Sequence, residues 1–137
     1  IYNHPKNLYV ADFIGSPSMN FLNGELKDTK FTNGLLELPM GSYQFIKKTN
    51  LKNVTIGIRP EHIITGELSK KAPVITNVSI NLVEPIGSDT LVYANLSDVQ
   101  IRIRMEGNAK VKIGDRLEIG IDPSRASLFD TQTEQRI

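Results

Sequence analysis

The 137-residue chain contains no cysteine and no tryptophan. Without thiols there is no disulfide framework and no thiolate zinc site, so the fold must be held by its core alone, and a reducing compartment is the default expectation. An excess of one charge is missing too: sixteen Lys and Arg stand against fifteen Asp and Glu, a net charge of +1. No summed field gathers a polyanion or an anionic membrane from a distance, and the five Phe and four Tyr are scattered rather than interleaved with cations. Both points argue against nucleic acid as a partner. The longest apolar runs, such as residues 54–58 and 80–83, fall far short of the roughly 20 residues a membrane-spanning helix needs. The only histidines, His4 and His62, lie far apart with no carboxylate at helical spacing, so no metal site is expected. No Gly-rich loop ends in Gly-Lys-Ser/Thr, so the backbone cradle for nucleotide phosphates is absent and no cofactor-binding residue is assigned. Ser88-Asp89 lacks a strand-to-helix elbow and reads as turn chemistry, which leaves no catalytic residue and no enzyme activity expected for this stretch.

What is present is a series of short strands. The stretch around which the chain is organised is Asn53-Val54-Thr55-Ile56-Gly57-Ile58-Arg59-Pro60-Glu61-His62. Val54, Ile56 and Ile58 alternate with Thr55 and Gly57, the period of a half-buried strand, and Pro60 ends it because it cannot donate a ladder hydrogen bond. Arg59, Glu61 and His62 then form a rigid polar corner, open to two readings: an internal tie to loop carbonyls or acids, or a contact with a partner.

Upstream, residues 1–17 carry Leu8, Ala11 and Phe13-Ile14 at helical spacing before Gly15-Ser16-Pro17, which predicts a short helix and a linker. Asn23-Gly24 and Asn33-Gly34 are the two strongest turn signals and predict two early hairpins. Lys70-Lys71 reads as a solvated loop. From Val74 the strands come densely. Residues 74–83, 90–96 and 99–105 are separated by a Glu84-Pro85-Ile86-Gly87-Ser88-Asp89 turn and by Ser97-Asp98, and the third of them has one oily and one basic face. Glu84 and Asp89 bracket this second Pro/Gly corner, either as solvated turn acids or as a carboxylate pair. Length points to a single domain. The strand spacing predicts a mainly β architecture, an OB-like antiparallel Greek-key barrel with a short N-terminal helix. A first residue of Ile, with the sequence already in full stride, reads as a piece cut from a longer protein.

Four blocks in order carry a resemblance: residues 7–21, the Gly57-Ile58-Arg59-Pro60-Glu61-His62 corner, residues 83–93, and Gly114-Asp115 with Asp122-Pro123-Ser124-Arg125 through Leu128-Phe129-Asp130. Together they resemble the C-terminal part of the ATPase subunits of sugar-importing ABC transporters, the family of the maltose, multiple-sugar and glycerol-3-phosphate importers. The resemblance implies that residues 1–17 end the ATPase domain and its linker, and that residues 18–137 form the accessory OB-like TOBE domain. It implies ATP and Mg bound in an ATPase domain upstream, not here. Implied partners are a second copy of the subunit, the permease subunits and, in some members, a regulatory protein. The implied location is the cytoplasmic face of the membrane. Physically, whatever binds the barrels better in one arrangement biases the ATPase cycle by that difference in affinity. The resemblance marks Arg59, Glu61, His62, Glu84 and Asp89 as candidate interface or structural-corner residues. The same kind of barrel on oxyanion importers binds molybdate or tungstate, for which Ser88 and Thr90 are the candidates in this sequence.

Overall fold

The computed structural model describes residues 19–33, 36–41, 43, 53–96 and 99–137. The predicted helix and linker of residues 1–17 lie outside them. The chain gathers into two compact units, the first comprising residues 1–59 and 123–137 and the second Pro60–Asp122.

The first unit is a five-stranded antiparallel sheet built from β1 (Asn20–Lys27), β2 (Lys30–Asn33), β3 (Leu36–Pro39), β4 (Asn53–Ile58) and β9 (Ser127–Asp130), in the order β3-β2-β1-β4-β9. β4 lies between β1 and β9, with Ile56 opposite both Leu22 and Leu128. The expectation of a half-buried strand is corrected by this position: residues 54–58 are all buried, the Thr55 and Gly57 positions included. Alternation failed as a guide because Thr55 satisfies its hydroxyl inside the sheet, at 2.8 Å from Asn23 Oδ1 and 3.1 Å from Thr131 Oγ1. Gly57 meanwhile lies under a small cluster of Met19, Phe129 and Phe21, the two rings meeting edge to face at 6.4 Å.

The first Asn-Gly turn is also corrected. Asn23 and Gly24 run in mid-strand, opposite Thr55 and Val54. The absent Cβ of Gly24 makes room for the Phe31 ring, whose nearest carbon lies 2.6 Å from where that Cβ would be. The β1–β2 hairpin instead turns at Asp28-Thr29, both at positive φ (49° and 59°), the twist that a two-residue hairpin requires. The second hairpin lies where Asn33-Gly34 placed it, with Asn33 paired to Leu36. At the other side of the sheet Tyr43 closes the edge. Its hydroxyl accepts the Leu128 N–H at 3.0 Å and donates to the Ile137 carbonyl at 3.1 Å.

The second unit is a four-stranded antiparallel sheet of β5 (Val74–Ile86), β6 (Asp89–Leu96), β7 (Val99–Glu106) and β8 (Arg116–Ile121), in the order β7-β6-β5-β8. Its core is drawn from Val78, Ile80, Val92, Ala94, Ile101, Ile103, Ile119 and Ile121, all buried. β5 is long enough to serve two partners. Its first half pairs β8 up to Ser79–Arg116, and its second half pairs β6 from Ser79–Asn95 onward, with the register shifting between Ile80 and Leu82. Pro85 lies in the stretch that β8 does not reach, where a missing N–H costs no ladder bond. Lys70 and Lys71 are exposed at the end of a 3₁₀ turn, Gly66–Lys71.

The chain passes from the first unit to the second at Arg59/Pro60 and back at Asp122/Pro123. Each crossing has the same local form: a strand end, a buried proline, and a single 3₁₀ turn, Pro60–His62 or Pro123–Arg125. The fixed φ of proline suits the first position of such a turn. The architecture is mainly β and antiparallel, as expected.

Candidate functional site

The first candidate corner follows β4 directly. Arg59 is completely buried, the largest side chain with no exposure, so its guanidinium lies inside the protein. Glu61 is exposed and His62 half-buried, and none of the three is without a partner. Ile63 closes the turn by donating its N–H to the Pro60 carbonyl at 3.4 Å.

The second corner is tighter than its residues suggested. β5 continues through Glu84 and Pro85 to Ile86, so the turn is only Gly87-Ser88, with Gly87 at a φ of +68°. Glu84 therefore stands opposite Leu91 in the ladder. Asp89 turns to β7. Its Oδ2 accepts from Arg104 Nε at 2.8 Å and its Oδ1 from the Gly107 N–H at 3.4 Å. The Arg104 hydrogen bond, helped by the Gly107 N–H and opposed by partial burial, holds the carboxyl below its ordinary 3.8.

Thr90, buried beside it, completes the arrangement: its hydroxyl donates to the Gly107 carbonyl at 2.7 Å and accepts the Ala109 N–H at 3.1 Å. Asp89 and Thr90 thus grip the start of the β7–β8 connection. Its far end is fixed to β5, where Gly114 N–H donates to Ile80 C=O at 2.8 Å and Ile80 N–H to Asp115 C=O at 2.9 Å.

Sequence reading missed Arg104, Gly107 and Ala109 as members of this cluster. Arg104 sits two residues from Glu106, the residue opposite Asp89, and so on the same face. Fixing the β6–β7 register at the two-residue Ser97-Asp98 loop would have found it. Ser88 is exposed in the turn, and Thr90 has both sides of its hydroxyl engaged. Among the described residues no group of three or more His, Asp or Glu side chains is placed to hold a metal ion.

Two antiparallel sheets, each in its own unit, make the chain mainly β, and in the second unit the corner residues Asp89 and Thr90 tie down a connection. A family model described as the MalK OB fold domain matches residues 15–63, and one described as the TOBE domain matches residues 56–129. The chain belongs to the TOBE domain family. It is 38% identical over 143 residues to the sulfoquinovosyl glycerol transport ATP-binding protein SmoE of Agrobacterium fabrum, an alignment covering all of this chain and 38% of that protein. To the oligosaccharides import ATP-binding protein MsmX of Bacillus subtilis it is 32% identical, covering all of this chain and 39% of the relative. The maltose/maltodextrin import ATP-binding protein MalK of Vibrio vulnificus is 32% identical over 94% of the chain and 36% of the relative. The chain thus spans less than two-fifths of the length of these relatives. Among solved structures, the molybdate-bound cytoplasmic protein ModG superposes with a TM-score of 0.60 over 80% of this chain and 94% of that one, at 14% identity, a likeness of fold.

Proposed function

We propose that this chain is the C-terminal accessory domain of the ATP-hydrolysing subunit of a sugar-importing ABC transporter. In this reading it holds two such subunits together while their ATPase halves open and close, and it offers a docking surface to regulators. The observation that carries it is the similarity of the whole chain to importer ATP-binding proteins. ATP and Mg bind elsewhere in the parent subunit, which works with permease subunits on the cytoplasmic face of the membrane. A β scaffold whose loops are pinned by Asp89 and Thr90 suits a part that must keep its shape while its neighbours move.

The test is sedimentation velocity on the full-length subunit with and without ATP. A two-subunit particle that persists without nucleotide is expected. A subunit that pairs only when ATP is present would mean that this domain does not hold the pair. Oxyanion binding through Ser88 and Thr90 is the weaker reading, because the Thr90 hydroxyl is committed to Gly107 and Ala109. Calorimetric titration with molybdate is expected to give no heat beyond dilution.

A further inference from the structure

The connection between β7 and β8, residues 107–115, has no regular secondary structure yet is fastened along its length. Asp89 and Thr90 hold Gly107 and Ala109. Asp115 Oδ2 accepts the Lys112 N–H at 3.0 Å, the Asp115 N–H returns to the Lys112 carbonyl at 3.1 Å, and Ile80 holds Gly114 and Asp115 from β5. On this fixed loop Ile113 stands 66% exposed. Lys110, Lys112 and Arg116 around it are exposed as well, and among the described residues none of the three forms an ion pair. The nearest acid in sequence, Asp115, spends its carboxylate inside the turn. Leu82, two positions beyond the Ile80 that anchors the loop, is a further exposed apolar side chain.

We propose that residues 110–116 form a preformed docking knob, with Ile113 as its apolar anchor and Lys110, Lys112 and Arg116 as a cationic rim, for an acidic segment of a partner protein. An exposed isoleucine on a mobile loop would lose freedom on binding. Here the hydrogen bonds have already removed that freedom, which is the condition under which one side chain dominates an interface. The unpaired cations select a carboxylate-rich counter-surface and raise the rate of encounter. A protein pocket fits better than the other polyanionic partners. A membrane surface calls for a broad apolar face, and a single-stranded nucleic acid for stacking aromatics, of which residues 107–116 have none.

The inference deepens the docking role proposed above by naming its surface. The test places the photocrosslinking residue benzoylphenylalanine at position 113 of the full-length protein in its own cells and identifies the adduct by mass spectrometry. The expected result is one partner protein, crosslinked at a peptide with an apolar residue flanked by carboxylates, with yield falling at least tenfold in Lys110→Glu/Lys112→Glu. The same probe at Leu68, equally exposed on the Gly66–Lys71 turn, should not label that partner. Adducts only to a second copy, to lipid or to nothing, or a yield indifferent to charge reversal, would overturn the knob. A partner with no role in transport would uphold the knob and count against the importer reading. Loss of the knob beside an ATP-independent pair would leave the importer reading standing.

Discussion

Replacing Thr90 by Val keeps the shape of a buried side chain and removes only its hydroxyl. Two hydrogen bonds disappear, one to the Gly107 carbonyl and one from the Ala109 N–H. Each is worth about 1 kcal/mol net, so Thr90→Val should cost about 2 kcal/mol. For a chain of this length that corresponds to a fall of roughly 6–8 °C in Tm. The loss should also be local. The Ala109 amide, left without its acceptor, should exchange with deuterium about tenfold faster or more, while the Ile80 amide, held by Asp115 at the other end of the connection, changes much less. Thermal unfolding followed by circular dichroism gives the first quantity and amide exchange by NMR the second. Thr90→Ser, which keeps the hydroxyl, should recover most of both. A Tm within 2 °C of the parent together with unchanged exchange at Ala109 would refute the view that Asp89-Thr90 is a loop clamp.

Thr29 sits at a φ of 59° in an exposed turn. Escaping the left-handed penalty of about 1–2 kcal/mol, less the roughly 0.5–1 kcal/mol entropy cost of glycine, should make Thr29→Gly more stable by about 0.5–1 kcal/mol in urea titration. Gly24→Ala drives a methyl into the Phe31 ring and the Thr32 carbonyl, and denaturant midpoints should register a cost of about 1–3 kcal/mol. For Asp89 the folded carboxyl titrates below its ordinary 3.8, so its contribution is fully present above that value and fades as the pH drops through the folded pKa. Stability measured from pH 6 down to pH 2.5 should therefore decline less steeply in Asp89→Asn than in the parent, and parallel curves would show that the Arg104 pair does not contribute.

Much of the framework was legible from residue order. The alternation of Ile101 and Ile103 with Arg102 and Arg104 located β7 and gave its faces correctly, since both isoleucines are buried. Asn33-Gly34 located a hairpin, in which Asn33 ends β2 opposite Leu36. Asn23-Gly24 misled because the same missing Cβ that permits a turn also permits close packing across a sheet, and only Phe31, seven positions on, decides between the two uses. Nothing in the sequence signalled that β9 returns to β4 after the whole of residues 60–122, a long-range pairing with no local signature. The corner residues are polar by type alone, and their partners were not visible in the sequence. Asp89 depends on strand register to meet Arg104, and Thr90 looks like an ordinary strand threonine until the connection it holds is in place.

The two proline crossings bear on the order in which the chain folds. Residues 60–122 are contiguous, and two of their strand pairings, β5–β6 and β6–β7, join neighbours in the sequence. The first unit, by contrast, is complete only when Leu128 meets Ile56. Closing so long a loop from an unfolded chain carries an entropy cost that slows its nucleation. If the inserted segment collapses first, the ends the first unit must join are tethered by a compact body instead of a coil, and the search for β9 shortens. Destabilising β6 or β7 should then slow the formation of the β4–β9 pair, although neither strand belongs to that sheet.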